Sequence, residues 1–459
     1  MEKRSSFSGT LGFVLAAAGS AVGLGNIWRF PYLAAKDGGG LFLMIYIILA
    51  LTFGFTLLMT EVSIGRKTKQ SCLTAYGKLK KGWGWLGGLA SIVPFIIMPY
   101  YCVIGGWVLK YALTFIMGRG AQAASDDFFT TFITGYSDPI IYNFMFLLMT
   151  AVVIFRGVNK GIESLSKVLM PILFVLIIGI SIYSLTLKGS KESGGRTGIQ
   201  GFMVYVIPNF EGVGVKTVLM TIVDAMGQLF YSISVAMGIM VTYGSYFKDE
   251  DNLIKSVNQI EIFDTVVAFL AGVMIIPAVY VFLGTEGMSA GPGLMFVAMP
   301  KIFNEMGVIG DVFGAIFFIM VLFAALTSCI SIMEAVCSGM IDKGMSRKKA
   351  TITEGIIALV LSTVVCLGYN LIYFEFKLPN GAVGQILDIM DYLSNNVLMP
   401  VLAVGTCILV GWVLKPKTII DEATKNGEKF GRRHLYTIMV KFVAPVMLIA
   451  LLLGSLGVY

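Results

Sequence analysis

Charged residues are scarce in this chain. Only 13% of its 459 residues are Asp, Glu, Lys or Arg, whereas 57% are hydrophobic. Soluble proteins carry about 25% charged and roughly 45–50% apolar residues, because a folded chain of this size needs polar surface to face water. The composition therefore excludes a water-soluble protein and indicates a chain that lies in a lipid bilayer.

Histidine and cysteine are also rare. With His434 as the single histidine, the chain has too few histidines for the common zinc sites and for histidine proton relays. Of the six cysteines, most lie inside apolar runs, where they act as small hydrophobic side chains and not as a disulfide framework. No Asn-x-Ser/Thr sequon and no Gly-Lys-Ser/Thr phosphate loop occurs. Because no catalytic constellation can be assembled, we predict that the protein is not an enzyme.

Long hydrophobic runs are what the sequence has instead. A crossing of the hydrocarbon core takes about 20 apolar residues, and eleven stretches are long enough. They lie near residues 11–35, 41–65, 86–117, 139–155, 165–187, 217–247, 256–285, 308–341, 352–374, 385–414 and 437–458. We predict an all-α polytopic membrane protein with eleven transmembrane helices, in which residues 1–459 form a single transmembrane domain.

The basic residues predict the orientation. With the N-terminus in the cytoplasm, most of the 34 lysines and arginines fall in cytoplasmic loops, as the positive-inside rule requires. The C-terminus is then extracellular. The same loops account for the formal charge of +7 without a nucleic-acid partner. We expect a multi-pass protein of the cell (plasma) membrane whose surroundings are the lipid bilayer.

Two of the predicted spans contain helix-breaking residues near mid-membrane. The first has three glycines within residues 19–26, and the sixth has Ser-Ile-Ser-Val-Ala-Met-Gly at 232–238. Unwound backbone in a membrane is tolerated only where it is buried in protein or lines a wet cavity. Glycines that merely allow close helix packing are the alternative. Two breaks five spans apart favour a secondary transporter built from inverted five-helix repeats with broken helices 1 and 6.

This reading divides the chain at predicted boundaries. Repeat one covers about residues 8–188, repeat two about 200–415, and an extra C-terminal eleventh helix about 437–458. Each broken helix exposes amide N–H groups that attract a carboxylate and carbonyl oxygens that attract a cation. The ionisable residues Arg29, Glu61, Asp264 and Asp391 lie within or at the ends of spans, where an unpaired charge is costly. We therefore expect them to be functional.

The residues that break the first span also carry a family resemblance. The run Gly-Ser-Ala-Val-Gly-Leu-Gly-Asn-Ile-Trp-Arg-Phe-Pro-Tyr at 19–32, with the glycines at 38–40 and residues 61–66, closely resembles the first two helices of neurotransmitter:sodium symporters. The similarity continues through Tyr101 and residues 228–238, 324–328 and 391, so it covers essentially the whole chain. It points to the bacterial amino acid transporter branch of the family, where eleven spans are a known pattern.

The resemblance implies two sodium sites, a substrate site and two gates. The first sodium would be held by Ala21, Asn26, Ser232 and Asp264 together with the substrate carboxylate, and the second by Gly19, Val22, Ala324, Thr327 and Ser328. The substrate would contact Ser20, Ala21, Gly23, Leu24, Gly25, Ile97, Tyr101, Tyr231, Ser232, Ser234, Met237, Ser328 and Ile332. Arg29 and Asp391 would form the outer gate with Tyr231 as a lid, and Arg4 would pair with Asp342 at the inner gate.

Departures from the family pattern refine the expected function. Asp264 stands where chloride-dependent relatives have a neutral side chain, so no chloride is expected. Gly23 stands where monoamine transporters have an aspartate, which favours substrates with a free carboxylate. Ile97, Met237 and Ile332 favour a neutral hydrophobic or aromatic amino acid. Sodium-coupled symport is the prediction, and a proton-coupled amino acid transporter of the same fold is the alternative. A single chain suffices for this function, and a dimer is left open.

Overall fold

Helices account for nearly all of the regular structure. The computed structural model describes residues 5–189, 194–210, 213–284, 287 and 293–458. Within these residues, nine helices are long and apolar enough to cross a membrane, and the bent pair Thr10–Ala21 and Gly25–Lys36 makes ten if it forms one span. The predicted all-α polytopic fold is thereby confirmed. The count of eleven stays a prediction, because the stretch predicted at 217–247 consists of two helices separated at 233–238.

Nineteen helices and two short strands are described. The helices are α1 (Thr10–Ala21), α2 (Gly25–Lys36), α3 (Gly40–Thr68), α4 (Cys72–Leu79), α5 (Gly84–Ile116), α6 (Gly120–Ala123), α7 (Phe128–Ile133), α8 (Asp138–Phe155), α9 (Val158–Thr186), α10 (Gly198–Val206), α11 (Val215–Ser232), α12 (Ile239–Ser245), α13 (Leu253–Leu283), α14 (Met299–Glu305), α15 (Val308–Asp342), α16 (Arg347–Leu367), α17 (Ile386–Val413), α18 (Lys417–Ala423) and α19 (Arg433–Ser455). Two short antiparallel strands, β1 (Phe376–Lys377) and β2 (Val383–Gly384), pair Phe376 with Gly384 and Lys377 with Val383.

Most predicted spans agree with the helices, and two differ at one end. The span predicted at 165–187 begins earlier, at Val158, because a π-helical segment over Val158–Glu163 continues the helix into a polar stretch. The span predicted at 352–374 was wrong at its end. Helix α16 stops at Leu367, and the apolar run continues beyond it as non-helical chain in which Tyr373 and Phe374 are exposed.

The long central helices hold the site. Helices α5 and α15 pack along each other over much of their length, α12 packs on α3, and α1 packs between α9, α13 and α15. Helices α1 and α12, which adjoin the two breaks, pack against these longer neighbours. The two helix breaks are therefore surrounded by protein, which is where unwound backbone is tolerated in a membrane.

Ion pairs tie the end of α3 to two loops. The Arg66 Nε lies 2.8 Å from the Glu422 Oε1 at the end of α18, and Arg66 is buried. Beside them, the Lys69 and Lys425 ammonium groups lie 3.0 and 2.6 Å from the Asp249 carboxylate. Partial burial disfavours the charged form of Asp249, but hydrogen bonds from the two lysines outweigh it and hold the pKa of Asp249 below its usual range.

Candidate functional site

The first helix break is narrower than the sequence predicted. Helix α1 ends at Ala21, and Val22 has extended backbone with φ −74° and ψ 91°. The chain becomes helical again at Gly25, as a π-helical turn, and the two halves are bent by 54°. The α-helix is thus interrupted at Val22 and Gly23, within the predicted site, although the Val22 N–H still donates to the Ala18 carbonyl oxygen at 2.7 Å.

The second break has an unusual backbone. Between α11 and α12, Ser234, Ala236 and Gly238 have φ of 54°, 55° and 72°, the left-handed region that side chains disfavour. The Ala236 N–H donates to the Glu61 Oε1 at 2.6 Å, so a buried carboxylate from α3 satisfies the unwound chain. A Cβ at Gly238 would lie 2.6 Å from the Ala90 carbonyl oxygen, which requires glycine there. Strained backbone of this kind typically marks a functional site.

The predicted substrate residues surround one cavity between the two breaks. Its walls comprise Ser20, Ala21, Gly23, Leu24, Gly25, Asn26, Ile97, Tyr101, Tyr231, Ser232, Ser234, Met237, Ile239, Ser328 and Ile332. All thirteen residues expected to contact substrate are among them. Ile239 was missed, although it is the first residue of the helix that follows the break. The cavity measures about 30 Å³, which is room for a water molecule or two, so the walls are closely packed.

Hydroxyl groups join the two breaks to α15. The Ser20 carbonyl oxygen accepts from the Ser234 Oγ at 2.9 Å and from the Ser328 Oγ at 3.1 Å. The Ser20 and Ser234 hydroxyls are also 3.1 Å apart. A Cβ at Gly23 would lie 2.9 Å from the Ser328 Oγ and 3.4 Å from the Tyr101 phenol oxygen. The cavity therefore has no space for a side chain at position 23.

Asp264 provides a buried carboxylate beside the cavity. Its Oδ1 accepts from the Ser232 Oγ at 2.6 Å and the Asn26 Nδ2 at 2.9 Å, and its Oδ2 accepts from the Tyr46 hydroxyl at 3.3 Å. All three donors are neutral, and in the described part of the chain no basic side chain lies within 4 Å of this carboxylate. Asp264 is fully buried. The arrangement brings together three of the four residues predicted for the first sodium, and the fourth, Ala21, lines the adjoining cavity.

Residues predicted for the second sodium meet where α1 faces α15. A Cβ at Gly19 would lie 3.3 Å from the Thr327 Cβ, so the two helices are in contact. The Thr327 Oγ1 donates to the carbonyl oxygens of Phe323 and Ala324 at 2.9 and 3.1 Å. Val22 and Ala324 are buried. Carbonyl and hydroxyl oxygens of this kind suit a hard cation such as sodium.

The outer gate pair is not joined in this structure. No ion pair within 4 Å connects Arg29 with Asp391, both of which are described. Asp391 instead accepts from the Asn395 Nδ2 at 2.6 Å. Arg29 lines a cavity of about 970 Å³ bounded by α11, α17 and α19. Tyr231 contributes to the walls of this cavity and of the small inner one, which is the position expected of a lid.

The inner gate is described only in part, because Arg4 lies outside the described residues. Asp342 accepts from the Ser71 N–H at 2.7 Å and from the Thr74 Oγ1 at 2.9 Å, at the start of α4. Sequence reasoning missed a second carboxylate on α15. Glu334 accepts from the Tyr246 hydroxyl at 2.6 Å, and its Oε2 lies 2.7 Å from the Arg347 Nη1.

The chain is similar to known sodium-dependent transporters along nearly its whole length. A profile of the Sodium:neurotransmitter symporter family matches residues 4–126 and 139–459. The chain is 33% identical to the sodium-dependent transporter YhdH of Bacillus subtilis, over 100% of this chain and 99% of that protein. It is 32% identical to a sodium-dependent transporter of Methanocaldococcus jannaschii, over 98% and 89%. The crystal structure of MhsT in complex with L-phenylalanine superposes with a TM-score of 0.85 at 32% identity, covering 99% of this chain and all of MhsT.

Proposed function

Because the chain belongs to the sodium:neurotransmitter symporter family and is therefore a transporter and not an enzyme, we propose that it couples sodium entry to the uptake of a neutral hydrophobic or aromatic amino acid. The proposed mechanism is alternating access, in which the site between the helix breaks faces one side of the membrane at a time. The observation that carries the proposal is the buried Asp264 carboxylate beside the cavity, which only neutral groups contact.

A buried carboxylate without a basic partner calls for a cation. Leaving a charge uncompensated inside a membrane costs several kcal/mol at least, and the oxygens around Asp264 suit a small hard ion. Asn26 and Ala21 are also part of the cavity walls. An ion at Asp264 would therefore adjoin the carboxylate of a bound amino acid. Sharing that oxygen makes each binding event favour the other, which is the physical basis of coupling.

Two sodium ions fit the two predicted ligand sets. One would use Ala21, Asn26, Ser232 and Asp264, and the other Gly19, Val22, Ala324, Thr327 and Ser328. Each sodium that enters down a membrane potential of 100 mV contributes roughly 2.3 kcal/mol. Two ions per neutral substrate would support an accumulation of about three orders of magnitude.

The substrate class follows from the cavity walls. Ile97, Met237 and Ile332 offer dispersion contacts and no charge, and the absence of a side chain at Gly23 leaves the substrate to supply its own carboxylate. The match to a structure that contains L-phenylalanine supports a hydrophobic or aromatic substrate. Since the cavity has a volume of only about 30 Å³, helices must move apart to admit an amino acid. The larger outer cavity beyond Tyr231 is the proposed entry side.

The remaining parts of the proposal concern charge and placement. Asp264 would supply the fixed negative charge that makes chloride unnecessary. We place the protein in the plasma membrane, with its N-terminus in the cytoplasm and its C-terminus outside. One chain contains both helix breaks and all predicted ligands, so a monomer suffices for transport and dimerisation is not required.

The test is uptake into proteoliposomes. Radiolabelled amino acids of different size and charge are offered with a sodium, potassium or pH gradient imposed in turn. We expect accumulation of hydrophobic or aromatic amino acids with the sodium gradient alone, in chloride-free buffer. Accumulation that follows the pH gradient and ignores sodium would establish the proton-coupled alternative.

A further inference from the structure

A second open cavity lies between the ends of the last two long helices. Helix α17 ends at Val413 and α19 begins at Arg433, and the intervening loop with α18 forms the walls of a cavity of about 810 Å³. Along the sequence, the residues that line this cavity are far from both helix breaks. Its lining residues are Lys415, Pro416, Lys417, Ile420, Asp421, Thr424, Glu428, Lys429, Phe430, Gly431, Arg433 and Thr437.

Four of the residues that line the cavity are lysines or arginines. Within the described parts of the chain, no carboxylate or hydrogen-bond acceptor contacts the charged groups of Lys415, Lys417, Lys429 and Arg433. Two carboxylates, Asp421 and Glu428, belong to the same walls, so the cavity carries an excess of positive charge. Glu428 is engaged by the N–H and side-chain amide of Asn426.

Two other cations of the same loop, Lys425 and Arg432, form ion pairs with carboxylates. The Lys425 Nζ lies 2.6 Å from the Asp249 Oδ1, and the Arg432 Nη2 lies 3.1 Å from the Glu261 Oε2. Among the described residues, Lys425 and Arg432 are therefore paired with carboxylates, and the four cations that line the cavity are not. This division indicates that an anion from outside the chain completes the cavity.

The backbone at Lys415 is left-handed. Its φ is 66°, a region that glycine adopts freely and lysine does not, and it ends helix α17 just before the buried Pro416. A helix commonly ends in this way, as α3 does at Lys69, whose φ is 54°. Lys415 is therefore a position where glycine can replace the side chain without disturbing the backbone.

Exposed aromatic rings on the helices that frame the cavity indicate that it lies near the membrane surface. Trp412 and Phe442, on the two helices that frame it, are 55% and 53% exposed, and their rings meet edge to face at 5.4 Å. The Trp412 indole N–H donates to the Lys441 carbonyl oxygen at 3.1 Å. Tryptophan with an exposed apolar ring and a satisfied N–H is typical of the interface between lipid and water.

We propose that this cavity binds the phosphate headgroup of an anionic phospholipid. Lysine and arginine side chains are the usual partners of phosphate oxygens, and basic pockets between transmembrane helices bind anionic headgroups. The exposed apolar surface of Trp412 and Phe442 would contact the acyl chains. That surface distinguishes a lipid from inorganic phosphate, which would use only the cations.

The experiment is native mass spectrometry of the full-length protein in detergent, titrated with phosphatidylglycerol, phosphatidylcholine or inorganic phosphate. We expect phosphatidylglycerol to bind in preference to phosphatidylcholine. The variant K415Q/K417Q/K429Q/R433Q should lower the phosphatidylglycerol affinity by as much as about 600-fold, since each of the four basic contacts near an anionic headgroup accounts for roughly 5-fold. The control K80Q/K81Q/K343Q/K349Q removes four exposed lysines outside the cavity and should change the affinity by less than about 2-fold.

A single substitution separates binding from folding. Lys415→Gly relieves the left-handed backbone, so the melting temperature of the lipid-free protein should stay constant or rise while the phosphatidylglycerol affinity falls roughly 5-fold. Equal losses in the two quadruple variants, unchanged affinity in K415G, or complete displacement of phosphatidylglycerol by millimolar inorganic phosphate would each overturn the proposal.

Discussion

Replacement of Asp264 by serine tests the proposed first sodium site. The substitution removes a buried negative charge and the acceptors of three hydrogen bonds, of 2.6, 2.9 and 3.3 Å, from Ser232, Asn26 and Tyr46. Two opposite unit charges about 4 Å apart interact by roughly 4 kcal/mol at an effective dielectric constant near 20. Because the serine hydroxyl can still contribute one neutral oxygen ligand, we expect a net loss of roughly 2–4 kcal/mol, which is a 30- to 1,000-fold decrease in sodium affinity.

The assay is a sodium titration of amino acid binding in detergent, followed by uptake in proteoliposomes with chloride or gluconate as the anion. D264S should be inactive in gluconate and partly active in chloride, since chloride can replace the missing negative charge. Asp127→Ser removes an exposed aspartate whose side chain is remote from the cavity and serves as the matched control, with unchanged uptake. Full activity of D264S without chloride would refute the charge-balance reasoning.

Four further predictions concern the backbone, the second ion and pH. Gly23→Ala should lower substrate affinity at least about tenfold, because its Cβ would lie 2.9 Å from the Ser328 Oγ; wild-type binding isotherms would contradict this. Gly238→Ala should destabilise the protein by roughly 2–4 kcal/mol, because its backbone is left-handed and its Cβ would clash with the Ala90 carbonyl oxygen. The measurement is the melting temperature, which should be lower. An unchanged melting temperature would show that the break can relax. Thr327→Val should reduce the Hill coefficient for sodium from about two toward one by removing a hydroxyl ligand, and a coefficient that stays at two would exclude Thr327 as a ligand. Since the pKa of Asp249 is lowered, the stability that it contributes is present at neutral pH and is lost as pH falls through the folded-state pKa. The melting temperature of D249N should therefore fall less steeply with pH below about pH 4 than that of the wild type. Identical profiles of melting temperature against pH would contradict the role of its two lysines.

The sequence was sufficient for the architecture because hydrophobic runs and helix-breaking residues act locally. Three glycines within 19–26 predict a break, and the structure contains one at Val22 and Gly23. The two non-glycine residues with left-handed backbone in the second break, Ser234 and Ala236, could not be predicted. Neither residue type favours that backbone, and tertiary contacts such as the one from Glu61 impose it.

The positions of the charged side chains could be predicted from the sequence, but the partners of these side chains were harder to predict. The sequence marks Asp391 as an exceptional charge within an apolar stretch, and the resemblance pairs it with Arg29. In the structure, its carboxylate accepts a hydrogen bond from the Asn395 side chain instead. Whether two charged side chains pair depends on distances of a few ångströms between separate helices. The spacing of the two residues along the sequence does not determine these distances. A transporter gate also exchanges partners as it opens, so one structure contains only one of the arrangements.

The most direct test of the proposed coupling is the direction of net flux when the sodium gradient is reversed. Proteoliposomes are loaded with equal amino acid concentrations inside and outside, with no pH difference, and sodium is placed on one side only. We expect net movement of the amino acid toward the sodium-poor side, and the direction should reverse when the sodium gradient is inverted. The D264S variant should show no net movement in either gradient. Net flux that stays at zero in both sodium gradients would contradict sodium-coupled symport.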